Sequence, residues 1–585
     1  MVNYEQNKSI RRLLLVANSI IFVYLLMQNR EEMNNTAVFF SFLTIVMLVA
    51  VYCILNKYTV IKKSTIVISF LLSILFILQM SLSDLFEAPF TRDNGRFFSI
   101  ISVVIILLDL TIAISFLINF LLSGNCDDGT LSERKMMVCK LWIILETVLF
   151  ATSTYPAIWI QDDAAGVYNA VLTKQWSDWH TIGYLIFVYI CTRIKESMYS
   201  VIVVQSIIWV VLNFYILEVL SHIKKAAVIF YTIVISLSIT PFLYLESMGK
   251  DTVFSMGILA LTVVVFKTLY FDELNKKDII ILSTIPLFSI LCRHGGLVSV
   301  IGVYIVLIIY YAKNKSKMSF TFCKIGIFHL FMYFVVTVLI LNALQADKNP
   351  AYVKYGTPIS MIGAAVSQDV TFSDKDQKIL EEFMPLDKWR ECYNKYWADD
   401  LSRSWGKNGE NIERLDYLVN EEGYGIEILK INAKILIKYP ITYLRAFFDM
   451  NSILWEMARP SDVPIMELAN VPENKGIIYH TGYYMLSALT VQMDQNAVLS
   501  VLFTRGGFSL YVIIFAVVLF GMINRKFLIS LIPILVNEAI LFITIPAQDA
   551  RYILPTIECA IFIGVILMTR GINPIENNDS KNFKN

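Results

Sequence analysis

Five stretches of this 585-residue chain gather the side chains that acid–base and phosphate chemistry needs. Tyr155-Pro156 leads, after five intervening residues, to Asp162-Asp163, and Asp178-Trp179-His180 follows. Further along come Glu246 with Lys250-Asp251, then Arg293-His294-Gly295-Gly296. Near the end stand Gln548, Asp549, Arg551 and Tyr552, with Pro555 after them. An Asp or Glu acting as general base suits an alcohol acceptor. Arginine grips phosphate oxygens through paired N–H donors, and lysine adds a point charge. The two glycines beside Arg293 let a ligand come close to the backbone. Together these residue types point to transfer of a group from a phosphate to a hydroxyl. Each stretch also has a plainer reading. Asp162 and Asp163 suit solvated loop acids, and Trp179 suits an anchor at headgroup depth. Asp251 suits the start of a helix, and Arg551 suits a snorkelling cation.

The elements that must position these residues are membrane spans. Residues of the AVILMFWYC set make up 56 % of the chain and charged residues only 17 %, against about 25 % charged in an average soluble domain. Such a chain cannot cover a water-facing surface, which excludes a soluble enzyme and a disordered scaffold. A net charge of +1 supplies no field for nucleic acid. The eight cysteines occur singly, which argues against structural zinc or a disulfide framework.

Apolar runs long enough for about 30 Å of hydrocarbon fall near 11–29, 37–55, 65–83, 98–122, 137–155, 197–220, 226–245, 251–271, 278–292, 295–312, 320–344, 507–523, 526–546 and 551–569. The expectation is therefore an all-α polytopic protein of about 14 transmembrane helices. Lys8, Arg11 and Arg12 precede the first run and no small-residue cleavage site follows, so that run reads as a retained anchor.

Lysine and arginine in the short loops set the orientation. With the N-terminus inside, the inner loops carry Lys57/Lys62/Lys63, Arg134/Lys135/Lys140, Lys224/Lys225, Lys276/Lys277, Lys313/Lys315/Lys317 and Arg525/Lys526. This holds only if the short apolar stretch 181–191 does not cross, so it reads as a helix in the outer interface. Both termini are then cytoplasmic, in a multi-pass protein of the cell membrane. All five polar stretches come to the outer side. Arg293-His294, between two short spans, lies below the headgroup plane, where charge demands a polar cavity or an anionic partner.

Four segments follow. Residues 1–136 form an N-terminal four-span region, 137–344 a membrane core with the first outer loop, 345–506 an extracytoplasmic loop domain, and 507–585 three spans and a cytoplasmic tail. The loop domain contains Trp389, Trp397, Trp405 and Trp455. Within it Glu427–Phe448 places apolar residues at helical spacing, with Lys430, Lys434 and Lys438 to one side and a break at Pro440. This predicts an amphipathic helix at the outer membrane surface or, alternatively, a core helix of a small soluble subdomain.

Tyr155-Pro156 to Asp162, followed by Asp178-Trp179-His180, resembles the first outer loop of GT-C superfamily glycosyltransferases, and is similar to bacterial multispanning glucosyl- or mannosyltransferase-type families. Lys250-Asp251 opening a span, the Arg293 turn, Pro440 to Leu444 and Arg551 to Pro555 extend the resemblance over about 137–569. Ala157 stands where glycine is common, and Thr181 where proline often follows the histidine. The resemblance implies a GT-C-like fold with juxtamembrane helices and an inverting, polyprenyl-phosphate-sugar-dependent transferase of cell-envelope polysaccharide biosynthesis. It makes Asp162 the first choice of catalytic base and Asp163 the second. Arg293, Lys250 and Arg551 would hold the lipid-linked phosphate, and Asp178, His180, Glu246, Asp251, His294 and Tyr552 would complete the substrate site. Partners are the lipid-linked sugar, a glycan, lipid or protein acceptor, and membrane lipid, with no nucleic acid. Some relatives use a divalent metal and others none, so no metal is assigned. A polysaccharide polymerase is the nearer alternative. A lipid-linked oligosaccharide transporter predicts midplane charge, but the mid-span regions are nearly free of it, with Asp109, Glu146, Glu218, Glu538 and Glu558 as exceptions.

Overall fold

The computed structural model describes residues 63–87, 96–122, 131–155, 163–347, 351–403, 410–457, 459, 463, 481–496 and 499–571. The first two expected spans, Asp162 and the tail beyond 571 lie outside them. The described residues are helical throughout, with no strand; isolated bridges join Ser177 to Asp347 and Trp397 to Ala547.

Seven described helices are long and apolar enough to cross a membrane: Glu133–Ser153, Met198–Ile223, Lys250–Phe271, Gly296–Lys313, Met318–Ala343, Arg525–Thr544 and Ala550–Met568. An eighth arises if Lys225–Leu237 and Ile239–Leu245, bent by 64° at Ser238, are one broken span. Shorter apolar helices cover Lys63–Gln79, Leu107–Leu122 and Gly507–Ile523. Lys276–Cys292 has 17 residues, about 25 Å of helix.

Lys250–Phe271 is the axis of the bundle. It is apolar on every side and almost wholly buried, as a helix surrounded by other helices must be. Gly257 lets Lys276–Cys292 press against it, since a Cβ there would lie 2.1 Å from Ser289 Oγ and 2.9 Å from the Ile285 carbonyl oxygen. At its C-terminal end Lys267 meets Asp278 at 2.7 Å, and the Tyr215 hydroxyl donates to the same carboxylate at 2.7 Å. Asp278 also closes a reciprocal cap with Asn275 at the start of Lys276–Cys292. The candidate site residues Lys250, Asp251, Arg293 and Arg551 gather at the opposite end of the axis, about 30 Å away along its 22 residues.

Ile182–Ile194, the stretch expected to lie in the interface, is a helix of 13 residues, about 20 Å long and shorter than the hydrocarbon layer. Tyr184, Leu185, Val188 and Cys191 are buried in the bundle core, so most of its surface meets protein. The helices Lys63–Glu87 and Arg96–Leu122 pack on one another and join the core through Gly507–Ile523. Gln79 Nε2 donates to the Gly507 carbonyl at 3.2 Å, and the Tyr511 hydroxyl donates to the Leu72 carbonyl at 3.3 Å.

Residues 351–457 add a helical subdomain with its own core, in which Ile359, Ile362, Leu380, Trp389, Leu415 and Ile431 are buried together. Its predicted Glu427–Phe448 helix is two helices, Tyr424–Lys438 and Pro440–Met450. Proline at the first position of the second removes the N–H that the first would need to continue.

Candidate functional site

The N-terminal end of Lys250–Phe271 collects residues from across the chain. Asp251 is buried and bridges two arginines: Arg293 Nε lies 3.2 Å from Oδ1 and Arg551 Nε 3.6 Å from Oδ2. Arg551 Nε also approaches Asp549 Oδ2 at 3.3 Å. The Tyr552 ring sits between the guanidinium groups, 4.9 Å from Arg293 and 5.0 Å from Arg551, while Phe254 lies 5.2 Å from Arg293. Aromatic faces of this kind stabilise cations removed from water. Arg293 Nη1 is buried with no hydrogen-bond partner among the described residues. A buried donor of a charged group is costly unless something accepts from it. The corner therefore favours an anion.

A cleft opens beside these charges. Val167, His180, Tyr184, Tyr244, the turn from Ser247 to Thr252 and Arg551 line it. His180 stacks on Trp179 with ring centroids 5.3 Å apart. The turn that presents both is tied down by Lys250 Nζ, which donates to the Trp179 carbonyl at 3.5 Å, and by Asp178 N–H, which donates to the Asp347 carbonyl at 2.9 Å. Thr181 follows at φ +63°, a conformation costly for a β-branched residue. Its hydroxyl lies 3.1 Å from the Cys292 carbonyl and donates to the neighbouring His180 carbonyl at 2.6 Å.

The sequence-predicted residues separate into three groups. Lys250, Asp251, Arg293, Arg551 and Tyr552 form the charged corner, and His180 faces the cleft. Asp178 and His294 brace the turn: Asp178 Oδ1 accepts from Ile182 N–H at 3.4 Å, and His294 bonds to the Asp178 backbone. Burial pulls the His294 pKa down, opposed by the Asp178 charge. Glu246 turns the other way. It accepts from the Thr154 hydroxyl at 3.3 Å, its Oε1 has no hydrogen-bond partner among the described residues, and burial pushes its carboxyl up to about 8. Asp162 lies outside the described residues. Asp163 opens the helix Asp163–Thr173, whose Val167 lines the cleft and whose Gly166 faces His180 Nε2.

Sequence reasoning missed Tyr244, whose hydroxyl donates to Asp549 Oδ1 at 3.3 Å; an aromatic inside an apolar run carries no signal. It also missed the polar seam behind the last turn. Gln548 Nε2 donates to the carbonyls of Asp449 at 3.0 Å and Met450 at 2.8 Å. Its Oε1 accepts from Arg505 Nη1 at 2.9 Å, and Arg505 Nη2 donates to Ser452 Oγ at 3.1 Å. Burial lowers the Arg505 pKa to about 10, opposed by Glu456 at 3.8 Å. The subdomain thereby grips the turn that carries Asp549 and Arg551.

Among the described residues no three His, Cys, Asp or Glu side chains converge as a metal site. The chain matches no protein-family model, no curated protein and no solved structure.

Proposed function

We propose that the chain is a membrane glycosyltransferase of GT-C type, moving a sugar from a polyprenyl-phosphate donor to an acceptor hydroxyl at the outer face of the cell membrane. One observation carries the reading: Lys250 and Arg551, distant in sequence, line a cleft at one end of an apolar helix bundle, and Arg293 pairs with Asp251 of the same cleft. A lipid-anchored phosphate must stay near such an end, since its tail lies in the bilayer. Buried, aromatic-flanked guanidinium groups fit it better than water-exposed lysines do.

In this mechanism Arg293, through its unpartnered Nη1, and Lys250 hold the donor phosphate. Asp162, or else Asp163, takes the proton from the acceptor hydroxyl as its oxygen attacks the anomeric carbon. The bond from that carbon to the phosphate oxygen breaks, and the phosphate leaves with the electron pair, its charge met by the cations. Attack opposite the leaving group inverts the centre. The fourteen-span topology, with both termini cytoplasmic and 345–506 outside, belongs to this proposal.

The test is incubation of purified protein with polyprenyl-phosphate sugars and detection of released sugar. Asp162→Asn should lower turnover by about 10²–10⁴-fold, the range general-base catalysis typically contributes, while donor binding is retained. Asp163→Asn should cost less. Unchanged turnover in both variants removes the catalytic centre from the proposal. A transporter is the second reading, favoured by Glu538 and Glu558, which are buried inside spans. Flux of a lipid-linked oligosaccharide across proteoliposomes, without sugar release, selects it.

A further inference from the structure

The Tyr424–Lys438 helix has two apolar faces. Ile428, Ile431 and Ile435 point into the subdomain core. On the opposite side Ile426, Leu429, Leu436 and Ile437 are exposed, and the row continues past Pro440 through Ile441 and Leu444 to Phe448. Ile437 and Ile441 are each 82 % exposed, more than any other large apolar side chain among the described residues. A soluble subdomain of this size has no use for such a ridge. Two isoleucines at that exposure, within a continuous apolar strip, mark a surface that something covers.

The ridge runs directly onto a membrane span. Phe447 and Phe448 set their rings against Phe542 of Leu528–Thr544, tilted at 51° and edge-on at 79°, with centroids 5.9 Å and 6.2 Å apart. Beside Phe542, Ile543 is 67 % exposed on the outside of that span, where only lipid can meet it in a membrane. The covering medium at one end of the ridge is therefore the bilayer, and Leu444, Ile441 and, across the bend at Tyr439, Ile437 are the exposed apolar residues that follow. Of the neighbouring cations, Lys430 pairs with Glu427 at 2.7 Å, Lys434 with Asp376 at 2.7 Å and Arg445 with Asp449 at 4.0 Å, while Lys438 lies over the Tyr439 ring, 5.1 Å from its centroid.

We infer that the subdomain lies on the membrane through this ridge, with Ile437, Ile441 and Leu444 inserted at the boundary of headgroups and acyl chains. The contact is apolar, because exposed isoleucine and leucine side chains make it and three of the four flanking cations pair with carboxylates of the protein. It does not depend on the glycosyltransferase proposal, since it uses no residue of the cleft. The ridge holds the subdomain at a fixed height over the bundle end, like other interfacial helices.

The experiment uses the full chain in nanodiscs containing a phosphatidylcholine with a diazirine placed high on its acyl chain. After irradiation, peptides are mapped by mass spectrometry. Peptides spanning 435–448 should carry at least five times the lipid adducts of those spanning 374–392, on the same subdomain. Equal labelling of the two overturns the inference, and so does protection of 435–448 that appears only as the chain dimerises. Ile437→Glu/Ile441→Glu should remove the adducts while leaving labelling of Leu528–Thr544 intact, which reports a folded bundle. Labelling that requires anionic lipid overturns the apolar contact.

Discussion

Removing the charge of Asp251 tests whether this residue touches substrate or holds the arginines that do. Asp251→Asn keeps the shape and leaves Arg293 and Arg551 without their shared counter-ion. The carboxylate is 4 % exposed and the two arginine side chains 17 % and 19 %, so the pairs are largely shielded from water. Breaking a buried pair by deleting one partner costs about 3–5 kcal/mol, and the partial wetting of the arginines favours the lower end, near 3 kcal/mol. Arg293→Met alone leaves Asp251 with Arg551 and should cost less. The double variant should be more stable than the sum of the two by about 1–3 kcal/mol, the coupling expected of residues in direct contact. Reversible unfolding in mixed detergent–SDS micelles, followed by tryptophan fluorescence, gives all four stabilities. An Asp251→Asn protein within about 0.5 kcal/mol of wild type, or strict additivity in the cycle, refutes the counter-ion role. Asp251 would then return to the substrate-contacting part that its sequence position suggests.

Two further outcomes follow from buried groups. The folded pKa of Glu246, about 8, lies above its ordinary value of 4.5, so folding takes up a proton between these limits. Its contribution to stability is fully present below 4.5 and lost as pH rises through 8, by up to about 5 kcal/mol over the window. Glu246→Gln should melt higher than wild type at pH 9 and alike at pH 5; parallel melting curves for the two proteins across that range would rule this out. Gln548→Leu strips Arg505 and two backbone carbonyls of partners, at a cost of about 3 kcal/mol for buried groups left unmade. Limited proteolysis should then cut between 440 and 500 faster, and unchanged cleavage would contradict the seam.

The convergence of charged residues was easier to read from the chain than the architecture. In a sequence so poor in charge, Lys250, Arg293 and Arg551 stand out, and each does lie in one corner. Their sign of action was less legible. Asp251 looks like one more polar group beside Lys250, and nothing local says that two arginines from later helices will claim it. Glu246 is four residues from Lys250 yet faces Thr154, because the helix ending at Leu245 stops and the chain turns before Lys250 begins the next. Helical periodicity marked Glu427–Phe448 as amphipathic. It could not separate the Ile428 face from the Ile437 face, since both are apolar and only packing distinguishes them. Hydropathy likewise marked 181–191 as short, but its burial among neighbouring helices is a tertiary outcome.

The pairing of Asp251 with two arginines also imposes a timetable. Arg293 emerges 42 residues after Asp251, whereas Arg551 emerges 300 residues after it. At about 5–20 residues per second of synthesis, the carboxylate and its first arginine wait roughly 13–52 s for the second. During that interval the helix Lys250–Phe271 lacks Leu528–Thr544 and Leu554–Met568 as neighbours, and the corner stands open on that side. The ion pair with Arg293 keeps the carboxylate answered while the nascent bundle is incomplete. Arrival of Leu554–Met568 then closes the charged corner, after the subdomain that braces it has been made.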